Sequence, residues 1–422
     1  MKISSGTRSK LKQIESISLF LDLPEEVHDE IFLKLPAKSI LVSRCVCKLF
    51  YNLLSKPNFI KNHLNLTVQT KINNPKLLFS HYSRGKHPTI YSIPIDYASI
   101  SSSSSVTSSL LCECDGAVLI NYPFESKEMN YLEFLGSLNG LICSRISKTD
   151  RVAYEKGYFL ETDYFSILNP LTREFKEFTK PEYSYDAVYG FGYDSNIDDY
   201  KLVVISDYVK THCFKVDVYT VKLDSWSSIQ GTRNYSFGNG GKESHGVFFN
   251  GCLHWLGSIA TGETSSEVIV SFDVSSESMV DMPVPENIMP PRDYRGEMYA
   301  NVGVWGDCIG ITFIWRIERI DVWVMQEYGV KESWIKKYTT TTTRLPRPLY
   351  PYWKPLWCFD NGEILVDNSP KHLFLCDPAK GRVKSVVVRD ITKANNRESY
   401  VESIVSLNSG TYLEKRVTQG IE

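Results

Sequence analysis

Apolar residues along the 422-residue chain follow two rhythms. Near the start, Leu23, Val27, Ile31 and Leu35 recur every fourth position, the spacing that stacks side chains on one face of a helix. Asp22 stands where an N-cap belongs, and Pro24 at the first helical position, where its missing N–H costs nothing. Glu25 and Glu26 follow in the first turn, where negative charge suits the positive end of the helix dipole. Pro36 is expected to end this helix, because the residue before a proline is pushed out of the α region. A second short helix fits Lys38 to about Arg44, and a third Val46 to Leu54, with Val46, Phe50, Leu53 and Leu54 as its apolar face. Only about 40 residues are involved, few for a self-sufficient core. The module is expected to lean on a partner or to cap the domain behind it.

Beyond residue 65 the rhythm changes to short alternating strands and turns. Asn139-Gly140, Asn250-Gly251 and Asn361-Gly362 recur at an interval of 111 residues, each between apolar stretches. "DSNIDD" at 194–199 and Gly306-Asp307 fall between them, so the underlying period is about 55 residues. A second strand–turn–strand feature runs in step, and the large apolar residues just past its turn, Phe175, Trp226, Met279, Trp334 and Val383, are 51, 53, 55 and 49 residues apart. Two hairpins per unit make four strands, the size of a kelch-type propeller blade. Five units are countable from Gly136 to about Val388, and strands within 65–135 supply at least one more, completed by "YVESIVSL" at 400–407. The fold expected is a small all-α module followed by a large all-β, kelch-like β-propeller of six blades, with seven blades or a twisted β-sandwich as alternatives.

Charge narrows the functions. With 47 Lys+Arg against 49 Asp+Glu the net charge is −2, which gives no support to nucleic-acid or membrane partners. No run approaches the roughly 18 apolar residues that span a bilayer, so a soluble protein is expected. The ten cysteines include no Cys-x-x-Cys and read as reduced thiols of a cytoplasmic or nuclear protein. Residues 1–17 and 416–422 are expected to be solvated tails, as is the serine run at 99–109 to be a flexible loop.

"LPEEVHDEIFLKLPAKSILVSRCVCKLFYNLL", continuing to "PNFIKNHL" at 57–64, resembles the F-box motif in the form common to a large plant family. The matching elements are Leu23-Pro24, Ile31, Leu35-Pro36, Lys38-Ser39, Arg44 to Lys48, Phe59 and His63-Leu64. One departure is Phe50, where the family usually carries tryptophan; a large aromatic is kept, so packing should weaken only modestly. "NGLICSR", "LNPLTREFKEF", "YGFGYDSNIDDYKLV", "GVFFNGCLHWL" and "SFDVSSESMVDMPVP" are similar to the plant F-box-associated domain, across most of 76–408. The resemblance implies an F-box over 18–64 and a substrate-recognition domain over 65–415, joined as the non-catalytic receptor subunit of a Skp1-cullin-F-box (SCF) E3 ubiquitin ligase. Leu23, Pro24, Ile31, Leu35, Pro36, Val46 and Cys47 are then the expected contacts to a Skp1-type adaptor, and through it cullin. Relatives of this kind include the pollen S-locus F-box proteins, which act on stylar ribonucleases, and others that control immune receptors; the sequence does not separate them. Two alternatives stand beside this reading: a propeller scaffold that recruits no ligase, with Phe50 as a sign of drift, and a propeller enzyme.

Other candidate chemistry gives way to simpler readings. Cys45 and Cys47 lie two apart at a helix edge and point about 200° from each other, so packing rather than metal ligation is expected. Cys112 and Cys114 would share a strand face, but two thiols without histidines make a poor zinc site. Asp194, Asn196 and Asp198 start like a calcium loop, yet Asp199 stands where glycine is needed and Ile205 where a bidentate glutamate is needed, which leaves a turn. "FGNGGKESHG" at 237–246 lacks phosphate-loop spacing and reads as a mobile loop. His254 is expected to pack against a strand neighbour, and "TTTTTRLPRPLYPYWKP" at 339–355 to connect two blades. No cofactor or metal is called for.

Overall fold

The structure is a computed structural model. It describes residues 20, 22–70, 75–81, 88–97, 110–112, 118–120, 129–149, 161–180, 187–208, 213–231, 235–237, 245–261, 264–285, 288, 298–315, 319–341, 353–368, 372–388 and 394–408. The two tails, the serine run, residues 238–244 and residues 342–352 lie outside the described residues. The chain divides into two compact units, Met1–Asn74 with Glu402–Val405, and Pro75–Val401 with Ser406–Glu422.

Four helices make up the described part of the first unit: α1 (Glu25–Leu33), α2 (Ala37–Arg44), α3 (Lys48–Leu54) and α4 (Pro57–Thr70). Asp22 does not cap α1. Pro24 itself occupies the cap position with φ −56° and ψ 150°, and no side chain caps the helix. Pro36 plays the same part for α2, with φ −58° and ψ 148°. Proline's fixed φ suits an extended residue on the threshold of a helix, so both prolines start helices, and α1 stops at Leu33, short of Pro36. α4 carries the helical unit past the quoted motif to Thr70, with Phe59, His63 and Thr67 buried at four-residue spacing.

The core of this unit is aromatic. Phe20, His28, Phe32 and Phe50 meet edge to face or tilted, the Phe32 and Phe50 centroids 4.9 Å apart and those of Phe20 and Phe50 5.7 Å apart. His28 is buried and its Nε2 is 2.7 Å from the Phe20 carbonyl oxygen. Phe50, Leu53 and Leu54 form the inward face of α3 as expected, whereas Val46 precedes the helix and is exposed. Arg44 ties the bundle across sequence, its Nη2 donating to the Leu54 carbonyl at 2.6 Å.

The second unit is a ring of six sheets. Five blades follow the chain directly. Blade 2 is Met129–Leu138, Leu141–Thr149, Glu161–Leu168 and Phe175–Thr179; blade 3 is Ala187–Asp194, Asp199–Tyr208, Cys213–Thr220 and Ser225–Gly231. Blade 4 is Cys252–Thr261, Thr264–Asp273 and Ser278–Pro283, with its inner position shared by Tyr235–Ser236 and Val247–Phe249. Blade 5 is Met298–Val304, Ile309–Trp315, Arg319–Met325 and Trp334–Thr341; blade 6 is Lys354–Cys358, Ile364–Asn368, His372–Asp377 and Arg382–Val388. Blade 1 is assembled from both ends of the unit, in the order Ala394–Val401, Pro75–His81, Thr89–Pro94, Val118–Ile120. The closing strand is thus Ala394–Val401, earlier than the 400–407 that the apolar pattern suggests; its Arg397 and Glu398 break that pattern because they pair with Asp367 and Lys354. Leu110–Cys112 adds a parallel strand to the outer edge of blade 6.

The repeating turns join the first to the second strand and the third to the fourth strand of successive blades. Asn139-Gly140 and Asn250-Gly251 each take positive φ at both residues (54° and 82°; 50° and 80°), the geometry of the tight turn whose twist matches antiparallel strands. Asn361-Gly362 differs: only Gly362 has positive φ, within a longer turn closed by Phe359 N to Glu363 O at 2.8 Å. "DSNIDD" is a turn as expected, with Asp194 Oδ1 accepting from Asn196 N at 2.9 Å.

Blades are buried on both faces, so alternate residues of one strand serve opposite neighbours. Leu77 and Phe79 pack with Leu365 and Leu375 of blade 6, while Leu78 between them packs with Leu132 and Phe134 of blade 2. Similar clusters join blades 3 and 4, 4 and 5, and 5 and 6. Phe178 stacks on Tyr219 at 3.8 Å between blades 2 and 3.

A buried ion cluster pins blade 3 to blade 4. Lys201 Nζ donates to Asp194 at 2.8 Å, to Glu277 at 2.7 Å and to the Val274 carbonyl at 3.0 Å. Burial alone would raise the Asp194 pKa, but its bonds from Lys201 and Ser275 hold it below the ordinary value. Burial alone would lower that of Lys201, but Asp194 and Glu277 hold it above. The sign follows: the depressed Asp194 stabilises the fold above about pH 4 and loses that contribution as pH falls through its folded pKa; the raised Lys201 stabilises below about pH 10 and loses it as pH rises through its own.

Lys201→Met leaves Asp194 buried without its cation, and is expected to cost the propeller about 3–5 kcal/mol. Thermal unfolding near neutral pH checks this; an unchanged melting temperature contradicts it. Phe50→Ala empties the centre of the aromatic cluster and is expected to cost the helical unit about 3–5 kcal/mol, read by hydrogen exchange within residues 25–70, whereas Phe50→Leu should lose less.

Candidate functional site

Five of the seven expected docking residues stand on the surface of the helical unit. Leu23 is 36% exposed, Ile31 38% and Val46 67%, and Pro24 and Pro36 are exposed too. Leu35 and Cys47 are half-buried. Val27, Val42 and Leu49 extend the exposed apolar set, and these three were missing from the expected contacts.

The local reason lies in α1. Val27 and Ile31 share one helical face with Leu23 a turn before them, while His28 and Phe32, one position further on, supply the inward face. Both stripes have the same four-residue period, so the sequence pattern does not say which faces the core; the aromatic cluster decides. A helical unit of this size keeps several large aliphatic side chains in water although burying each is worth roughly 1.5–3 kcal/mol. Exposed sets of this kind mark surfaces that another protein covers.

Cys45 corrects an expectation. It is exposed rather than packed, at the end of α2, with its Sγ directed to the Leu41 carbonyl at 3.5 Å. Chain direction explains this, since residues after α2 turn outward before Cys47 opens α3 in extended conformation. His63 anchors α4 from the opposite side, with Nε2 2.8 Å from the Leu35 carbonyl oxygen; burial pushes its pKa down.

In the second unit, the inner strands surround a channel cavity of about 230 Å³, to which all six blades contribute. Its charges are paired within the wall. Lys354 bonds Glu398, and His245 Nε2 lies 3.2 Å from Glu133, which also meets Arg145 at 3.3 Å. His254 is fully buried, with Nδ1 3.1 Å from the Val247 carbonyl oxygen and Nε2 2.8 Å from the Tyr328 hydroxyl, and burial pushes its pKa down to about 4. It packs as expected against its cross-strand partner Val247, and reaches Tyr328 in blade 5 as well.

Among the described residues, no group of three His, Cys, Asp or Glu side chains is placed to hold a metal. The Asp194 oxygens turn inward to Lys201 and Ser275. Cys114 and the Cys112 side chain lie outside the described residues, as does most of the glycine-rich stretch at 237–246.

Comparison with known proteins agrees with this two-part architecture. Residues 20–62 match the F-box domain, and residues 94–409 match the F-box associated beta propeller domain. The F-box protein CPR1 of Arabidopsis thaliana is 26% identical over 409 residues, which cover 91% of this chain and 88% of that protein. The F-box/kelch-repeat protein At3g23880 of the same plant is 27% identical, over 92% of this chain and 96% of that protein. Among solved structures, the Penicillium chrysogenum alpha-L-arabinanase aligns over 67% of this chain and 94% of its own with 12% identity and a TM-score of 0.40, too distant a likeness to bear on function. The chain belongs to the plant F-box family, an F-box domain followed by a six-bladed F-box-associated β-propeller.

Proposed function

We propose that this protein is the substrate-recognition subunit of an SCF-type E3 ubiquitin ligase, non-catalytic in itself. Its F-box docks on a Skp1-type adaptor and its propeller holds a protein target for ubiquitination. The observation that carries the proposal is the exposed apolar set of Leu23, Val27, Ile31, Val42, Val46 and Leu49 within the matched F-box. These side chains are absent from the unit's own core, whose needs are met by Phe20, His28, Phe32 and Phe50. The seven free cysteines among the described residues suit a reducing, cytoplasmic or nuclear setting.

Phe50 bears on the scaffold alternative. It is 6% exposed and sits inside the aromatic cluster, so its departure from the family's tryptophan alters the core of the helical unit and leaves the exposed set untouched. Loss of ligase recruitment therefore draws no support from it.

Co-purification of the full-length protein with a Skp1-type adaptor tests the proposal. Ile31→Asp and Val46→Asp each place a charge in the exposed set without touching the core. Each is expected to weaken association at least tenfold, given roughly 1.5–3 kcal/mol per buried aliphatic side chain. The double variant should abolish capture while the helical unit stays folded. Full association of the double variant would sink the proposal.

A further inference from the structure

The channel has no assigned ligand, and its chemistry is specific enough to name one. Each inner strand is the last in its sheet on the channel side, and those of blades 3 and 4 are bridged at Gly190 and Gly246, with Gly246 N donating to the Tyr189 carbonyl at 2.6 Å. Lys354 is bonded to Glu398, and His245 Nε2 lies 3.2 Å from Glu133. Phe191, Phe248 and Val302 supply apolar panels between the polar edges.

Asn301 is the exception in this paired wall. It sits on the inner strand of blade 5, lines the cavity and is 8% exposed, yet neither its Nδ2 nor its Oδ1 has a hydrogen-bond partner. Its cross-strand neighbour Thr312 is fully buried, and the Oγ1 of Thr312 is also without a partner. Side chains paired across two strands share one face of the sheet. A donor, an acceptor and a hydroxyl are thus held together with none of them satisfied, and Asn301 is the one such residue, among the described residues, that borders the cavity. The Asn301 amide atoms are covered from solvent, so contact with a ligand requires the side chain to turn toward the cavity it borders.

We propose that the channel binds a carboxamide, free or carried on an Asn or Gln side chain of the captured protein. A carboxamide is planar and offers a donor beside an acceptor, so it returns both bonds that Asn301 lacks in one cyclic pair. A carboxylate offers acceptors only and an ammonium donors only, so neither returns both bonds that Asn301 lacks. The apolar panels suit the short methylene stem of such a side chain. For the protein-borne source the proposal rests on the substrate-receptor reading above.

The test uses the full-length protein and three probes, the capped peptides Ala-Gln-Ala and Ala-Glu-Ala and free propionamide, followed by saturation-transfer NMR. The glutamine peptide is expected to bind at least about tenfold more tightly than the glutamate peptide. Asn301→Leu should remove that preference while keeping or raising the melting temperature, because it deletes polar atoms that have no partner. Displacement of the glutamine peptide by propionamide assigns the site to free amides; binding of the peptide without displacement assigns it to a protein segment. Equal binding of the two peptides overturns the proposal, as does a preference that survives Asn301→Leu or a variant that no longer folds. No adaptor enters the assay, so its outcome is separate from that of F-box docking.

Discussion

The pairing of Ala394–Val401 with Pro75–His81 is the contact on which the propeller depends. It joins segments from the two ends of the unit in an antiparallel ladder, with Leu77 opposite Ser399. Ser92 and Tyr400, 308 positions apart, exchange a hydrogen bond of 2.8 Å across the same blade. Loop-closure entropy grows only with the logarithm of length, about 0.6 kcal/mol per doubling, so a closure over hundreds of residues costs little more than a short one. What it secures is large. The closing strand packs beside the inner strands of blade 2 and blade 6, so the last interfaces on either side of blade 1 exist only when it is in place. Without it, the apolar faces shared by blades 1, 2 and 6 would open to water.

Polar groups inside the ring are handled by pairing across blades. Lys201 with Asp194 and Glu277 serves blades 3 and 4; Arg397 with Asp367, at 2.5 Å, serves blades 1 and 6; Lys354 and Glu398 join the same two blades beside the channel. In each of these groups a cation faces at least one carboxylate, so no charge named is buried without an opposite one. The helical unit follows the opposite economy. Its buried His28 and His63 bond backbone carbonyls, and its exposed set is apolar, which suits a partner protein better than a small ligand. The two surfaces thus ask for different kinds of contact, and this is the physical basis for assigning attachment to one and capture to the other.

Much of this was legible in the chain. Turns such as Asn139-Gly140 and Asn250-Gly251 encode their geometry locally, because positive φ at two successive residues restricts the residue types, and their spacing counted out the blades. Pro24 marked a helix start for an equally local reason, although α1 begins one residue later than expected, whereas Pro36, expected to end α1, instead opens α2. Less legible were features in which local pattern and tertiary demand differ. The apolar pattern pointed to 400–407 because the middle of the true strand is polar, with Arg397 and Glu398 paired to Asp367 and Lys354 of blade 6. Leu110–Cys112 pairs in parallel with a strand from the far end of the chain, a contact that no local rule contains.

The sequence by itself determined the helical head, the four-stranded repeat and the family, since each rests on periodicity, turn chemistry or fixed motif spacing over short stretches. Tertiary structure alone decided which stripe of α1 faces water, because Leu23, Val27 and Ile31 carry the same period as the inward His28 and Phe32, and only the rings of Phe20 and Phe50 break the tie. It also decided the channel. Asn301, His245 and Lys354 come from three different blades, and residues so far apart in the chain become neighbours only when the ring closes.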